Sequence, residues 1–224
     1  MRLRKPIKNI LILGPQGSGK GTQASLLAAK FNLAHIETGE IFRRMAKGKS
    51  ALGRRINVLV NKKGALIPDA LVIRTLENAL RHVKNSQGVI FDGFPRTMAQ
   101  AKALTLLLAK LGRKLTTVID MPISRTTTIR RLSMRRTCMK CGRIFIAGVN
   151  IPLNGKKCPV CGGQIFQRED DKPKAITTRL KSYNKLTKPV VQYYKNQGTL
   201  VTVDGEPPVR EVFKNILKLS ILHD

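Results

Sequence analysis

The sequence predicts an α/β fold, with a parallel sheet covered by helices on both faces and one insertion of different character. Three observations lead there. Short apolar runs alternate with helical patterns along the chain. A glycine-rich stretch stands where the first apolar run hands over to the first helix. One segment, 137–172, loses helical periodicity and gathers Cys, Gly and Pro instead.

Residues 7–13 are apolar and bounded by Pro6 and Gly14, as expected of a parallel strand buried on both faces. A helix over 19–30 puts Ala24, Leu27 and Ala28 on one side. Thr38 caps a short helix carrying Ile41, Phe42 and Met45. Basic helical patterns follow over 51–63 and 69–84. Residues 89–91 form a short strand ending at Asp92, Thr97 opens a further helix, and 116–120 is a strand. An Arg-dense helix covers 123–136. After the insertion, helix returns over 173–196, then a strand at 199–203 and a closing helix at 209–219.

The 224 residues suffice for one sizeable core with inserted lobes. Trp is absent and aromatics are 4%, so that core rests on Leu, Ile and Val. Forty-two Lys and Arg against 13 Asp and Glu leave a net charge of +29. This balance favours anionic partners, polyphosphates and nucleic acids alike. The cations are spread along the chain, as on a solvated surface. Arg2, Arg4 and Lys5 precede an apolar run far too short for a secretory signal, and no run reaches membrane-spanning length. A soluble, cytoplasmic protein is expected.

The glycine-rich stretch reads Gly14-Pro15-Gln16-Gly17-Ser18-Gly19-Lys20-Gly21-Thr22. Glycines let successive backbone N–H groups turn inward on an anion, and the helix behind adds its positive end. Lys20 supplies a mobile charge for β- and γ-phosphates, which a merely flexible turn does not need. The motif predicts a phosphate loop of the P-loop NTPase type. Gly21 departs from it, since Ser or Thr usually stands there to hold magnesium. The metal is therefore expected on phosphate oxygens and water, with Asp92 in an outer role.

All four cysteines lie in the insertion, as Cys138-x2-Cys141 and Cys158-x2-Cys161. That spacing predicts a tetrahedral, four-thiolate zinc site. Gly142 and Gly162 follow each pair where the chain must turn tightly. Two disulfides are the bland alternative, which a reducing compartment disfavours. A closed site leaves no open coordination position, so the metal is structural and replaces a core that the segment is too polar to build.

Four further elements complete the pattern: Thr38-Gly39-Glu40 leading to Arg43, Asp92-Gly93-Phe94-Pro95-Arg96-Thr97 leading to Gln100, Arg168 with Asp170 and Asp171, and an Arg set of Arg131, Arg135 and Arg179. With the phosphate loop, these closely resemble the motifs of the adenylate kinases, a family of nucleoside monophosphate kinases, in order and spacing over nearly the whole chain. The insertion resembles the zinc-bearing lid of some bacterial members. The resemblance implies a core of 1–37, 68–135 and 174–224, an AMP-binding lobe at 38–67 and a lid at 136–173. It implies the reaction of Mg-ATP with AMP to give two ADP, by a monomer. Gly17, Ser18, Gly19, Lys20, Gly21 and Thr22 match the ATP phosphate loop, and Arg131 and Phe145 match positions near the adenine. Thr38, Arg43, Leu66, Ile67, Gly93, Arg96 and Gln100 match the AMP site. Arg135, Arg168 and Arg179 match arginines around the transferring group, the last two also facing AMP.

The chemistry agrees with such roles. Phosphoryl transfer spreads charge over equatorial oxygens, which guanidinium forks bind bidentately. An AMP phosphate, with a second pKa of roughly 6, is already ionised and needs no general base. His35, His82 and His223 are then bystanders. Gln100 also fits a capping box with Thr97, a purely local task. Thr97 and Gln100 accompany adenine selectivity in the family, whereas Glu40 departs from its usual Asp. Two alternatives remain: a UMP/CMP-type kinase, and a basic zinc-ribbon protein that binds nucleic acid.

Overall fold

The computed structural model describes residues 7–59 and 66–219. Arg2, Arg4, Lys5, His223 and the tail of the helix expected over 51–63 lie outside them. The strands are β1 (Asn9–Leu13), β2 (Ala34–Glu37), β3 (Val89–Asp92), β4 (Thr117–Asp120), β5 (Arg135–Cys138), β6 (Ile144–Ile146), β7 (Ile165–Phe166) and β8 (Leu200–Thr202). The helices are α1 (Lys20–Phe31), α2 (Thr38–Lys47), α3 (Ala51–Asn57), α4 (Asp69–Arg81), α5 (Met98–Lys110), α6 (Arg125–Met134), α7 (Pro173–Ser182), α8 (Lys188–Asn196) and α9 (Val209–Leu217).

The main sheet is parallel, in the order β2-β3-β1-β4-β8. Its side chains alternate between two cores, as strand geometry requires. Leu11, Leu13, Val89, Phe91 and Val118 face one way, with Leu76, Leu104 and Tyr194 in that core. Ile10, Ile12, Ile90 and Ile119 face the other, with Leu27, Val212 and Ile216. Both faces are thus covered, which is why the strands read as continuous apolar runs. The register aligns Glu37 with Asp92 and Leu13 with Asp120, so these strands end together at one edge. Ligands of open parallel sheets bind at that carboxyl edge.

Four sequence expectations change. Strand β2 has no apolar run to announce it: only Ile36 of its four residues is buried. Thr38 is the first residue of α2, not its cap, because β2 runs straight into the helix and Glu37 takes the capping position. The helix expected over 123–136 starts at Arg125, capped by Ser124 Oγ accepting from Thr127 N (3.0 Å), and ends at Met134. Arg135 and Arg136 are extended instead, because they pair with Ile146 and Phe145 in the insertion's own sheet.

That sheet is antiparallel, in the order β6-β5-β7. The long helix expected over 173–196 is broken by a π-helical turn, Tyr183–Thr187, just ahead of Pro189. Proline cannot donate to the preceding turn, and a wider turn absorbs the missing bond. Among the described residues no helix is long and apolar enough to cross a membrane.

Candidate active site

The phosphate loop leaves β1 at the carboxyl edge. Gly14 has φ +141°, and a Cβ there would stand 2.6 Å from the Met121 carbonyl oxygen, so only glycine fits between β1 and β4. Gly17 and Gly19 also take positive φ, Ser18 is buried, and Thr22 is exposed on the first turn of α1. Lys20 Nζ donates to the Pro15 carbonyl at 3.2 Å, folded back into its own loop. Burial pulls the Lys20 ammonium down to about 8; Asp92 opposes this, while Arg96, Arg179 and Arg135 add to it. Arg131 closes the loop from behind, donating to the carbonyls of Gly205 (2.8 Å), Glu206 (2.7 Å) and Gly17 (3.3 Å).

The Gly21 departure has a neighbour to explain it. A Cβ at 21 would lie 2.9 Å from Asp92 Oδ2. Asp92 is 4% exposed at the end of β3, with His35 Nε2 3.9 Å away. A buried carboxylate beside the loop, with no side chain at 21 to separate them, fits a phosphate-bound Mg²⁺. Glu40, by contrast, is exposed and pairs with Arg44 at 3.9 Å, directed into solvent.

A second cleft adjoins the loop. It brings together Thr38, Arg43, Leu66, Ile67, Gly93, Arg96, Gln100 and Arg179. Gln16, Gly93 and Arg96 line both this cleft and the hollow over Lys20, so the two spaces adjoin. The Gln16 Oε1 is buried without a hydrogen-bond partner. Gln100 does more than a capping box asks. Its Oε1 accepts from Arg96 N (2.7 Å) and its Nε2 donates to Asp69 Oδ1 (2.7 Å), while Thr97 Oγ1 accepts from Gln100 N (3.2 Å) and donates to Asp69 Oδ2 (2.9 Å). The obligate donor on one side and the carboxylate on the other fix which way the amide points. One amide hydrogen and one lone pair are left without these partners.

The arginines are held by the two carboxylates that follow Arg168 in the chain, Asp170 and Asp171. Arg135 grips Asp171 with a two-pronged pair, Nε to Oδ2 at 2.7 Å and Nη2 to Oδ1 at 2.5 Å. Arg179 Nη1 donates to the Asp170 carbonyl (2.9 Å) and reaches Asp170 Oδ2 at 3.0 Å and Asp171 Oδ1 at 3.4 Å. Burial alone would raise the Asp170 carboxyl, but Arg179, Arg135, Arg168 and Arg43 hold it below the usual range. Arg168 Nε donates to Thr137 Oγ1 at 2.9 Å. Burial, with Arg43 and Arg135 nearby, pulls Arg168 down to about 10; burial first, then Arg135 and Arg96, bring Arg179 to about 10 against the pull of Asp170. Both stay cationic at neutral pH. Phe145, paired with Arg136 across β5 and β6, is 7% exposed in the small core of the insertion with Ile151 and Ile165.

The four cysteines converge on one point. Their Sγ atoms lie within 4.8 Å of one another, with Cys138–Cys161 at 3.5 Å and Cys141–Cys158 at 3.8 Å. Tetrahedral thiolates about 2.3 Å from a metal stand roughly 3.8 Å apart, whereas a disulfide requires about 2.05 Å. The two pairs repeat one local geometry. Cys138 N bonds to Arg143 O and Cys158 N to Gly163 O, while Gly142 and Gly162 turn with φ +71° and +68°. The Cys141 N–H is directed at the Cys138 sulfur at 3.5 Å, a contact that favours a thiolate there.

Comparison with known proteins agrees with this geometry. The family model for adenylate kinase matches residues 12–199. The adenylate kinase of Caldicellulosiruptor saccharolyticus is 41% identical over 209 residues, covering 93% of this chain and 97% of that protein. That of Thermosipho melanesiensis is 42% identical over 211 residues, 94% and 98% of the two chains. That of Methanothrix thermoacetophila is 39% identical over 211 residues, 94% and 97%. A phosphate loop open to a second, arginine-lined cleft, matched over this much of the chain, places the protein in the adenylate kinase family of nucleoside monophosphate kinases.

Proposed function

We propose that the chain transfers the γ-phosphoryl group of Mg-ATP reversibly to AMP, giving two ADP. The observation that carries the reading is the contiguity of the two spaces across Gln16 and Arg96. The loop from Gly17 to Thr22 holds the ATP phosphates by backbone N–H groups and Lys20, which leaves Pro15 to reach them. Thr38, Arg43 and Arg96 take the AMP phosphate. Leu66 and Ile67 cover the base, and Gln100 reads its edge. Arg135, Arg168 and Arg179 surround the phosphoryl group in transit, where cationic donors stabilise spreading charge more than they stabilise the ground state. Bound magnesium would neutralise the β- and γ-oxygens, with Asp92 the carboxylate placed to orient its water ligands.

The segment 38–67 acts as the monophosphate lobe and 136–173 as a lid on the core of the remaining residues. Its four cysteines hold a structural Zn²⁺, supported by their separations, with iron distinguished by metal analysis. Arg135 begins the lid strand β5 and Arg168 follows its last strand, so closure carries both toward the phosphates while excluding water. An acceptor panel tests the reading. With Mg-ATP, AMP should give two ADP far faster than CMP, UMP or GMP. A pyrimidine preference would overturn the role of Gln100 but keep the mechanism, and no transfer to any acceptor would overturn both.

A further inference from the structure

Glu37 has no part in the mechanism above, yet it touches the acceptor site. It is the last residue of β2, in register with Asp92. It occupies the capping position of α2, but its side chain makes no capping bond. The carboxylate turns instead to Arg43, whose Nη2 donates to Oε1 at 2.5 Å. Both side chains are largely shielded, at 29% and 27% exposed, so water screens the pair only in part. Arg43 lines the acceptor cleft, and Glu37 also acts electrostatically on Arg96, the next cation of that cleft.

We propose that Glu37 is an internal anion that competes with the monophosphate for Arg43 and so sets the acceptor affinity. The inference rests on reading the cleft as the AMP site. A carboxylate and a phosphate ask the same thing of a guanidinium: two oxygens in its plane. The incoming dianion carries more charge and takes the fork. The displaced carboxylate then stays close to that dianion and to Asp92, since the ligand atoms of His35, Glu37 and Asp92 lie within 4.8 Å of one another. Both effects work against AMP. The site therefore binds AMP more weakly than Arg43 and Arg96 alone would, and releases it more readily.

The test is AMP binding by calorimetry without ATP or divalent metal, with steady-state kinetics alongside. Glu37→Gln keeps the shape and removes the charge. It should tighten AMP roughly five- to tenfold, about what one ordinary hydrogen bond amounts to, since the Glu37–Arg43 pair is partly screened. KM for AMP should fall by a similar factor, with kcat changed less than twofold. Glu37→Asp, which restores the charge, should return affinity toward the parent value. A merely orienting role predicts the opposite sign, since loosening Arg43 would weaken AMP. Unchanged or weaker binding by a Glu37→Gln variant that melts like the parent overturns the inference while the parent still binds AMP. A parent protein that does not bind AMP overturns the reading of the cleft instead.

Discussion

Asp92 occupies the space that a side chain at position 21 would need, with Oδ2 only 2.9 Å from the site of a Gly21 Cβ. The missing hydroxyl of this phosphate loop and the buried carboxylate of the next strand are therefore one arrangement. Gly21→Ser would force Asp92 to move, and the neighbour that must shift is the end of a buried side chain. Turnover should fall about tenfold, with a higher Mg²⁺ requirement. Asp92→Asn should cost about 10- to 100-fold, as is usual for residues that orient a metal's ligands. Titrating activity against Mg²⁺ checks both; a Gly21→Ser enzyme with parental Mg²⁺ dependence would separate the two residues.

Lys20 should take up a proton when ATP binds at alkaline pH. Its pKa is about 8 in the free protein, and the triphosphate's negative charge must raise it. Affinity is therefore full below pH 8 and weakens as pH rises above it. Calorimetry at pH 8.5 in buffers of different ionisation enthalpy should show net proton uptake. Lys20→Met should abolish that uptake and most turnover while the protein stays folded.

Asp171 is fully buried and holds Arg135 by both oxygens. Asp171→Asn keeps the volume but leaves two guanidiniums short of their counter-charge. Removing one partner of a buried pair costs about 3–5 kcal/mol. Stability to urea should fall by roughly that amount, and kcat more than KM, because Arg135 and Arg179 lose their aim.

On the proposed reading of the four cysteines as metal ligands, removing the metal should loosen the insertion before the core. Its buried cluster is small, and two of its six members are ligand cysteines. Chelation, or Cys158→Ser, should open 138–166 to proteolysis while the main sheet resists, and turnover should drop as Arg135 and Arg168 lose their support. Metal analysis should find one zinc per chain. Equal protease resistance with and without chelator would remove the structural role.

What could be read in the sequence was what lies close together along it. The phosphate loop and the two cysteine pairs are local, and each carries its chemistry in its own spacing. The pairings that aim the site are not local. Asp171 meets Arg135 across 36 positions, and Gln100 meets Asp69 across 31. Nothing in the sequence sets Glu37 apart, because strand β2 buries too little to declare itself. The helical pattern overruns the end of α6 because Arg135 and Arg136 answer to strand pairing in the insertion rather than to helical preference.

Six of the chain's thirteen acidic residues, Glu37, Asp69, Asp92, Asp120, Asp170 and Asp171, stand at the cleft or the sheet edge beneath it. The other seven are far outnumbered by the 42 Lys and Arg, so the surface carries the excess charge of a polycation. Mobile anions must crowd around it, and polyvalent ones displace monovalent ones. ATP is thus enriched near the protein before it meets the loop, so encounter rates should slow as salt disperses that atmosphere.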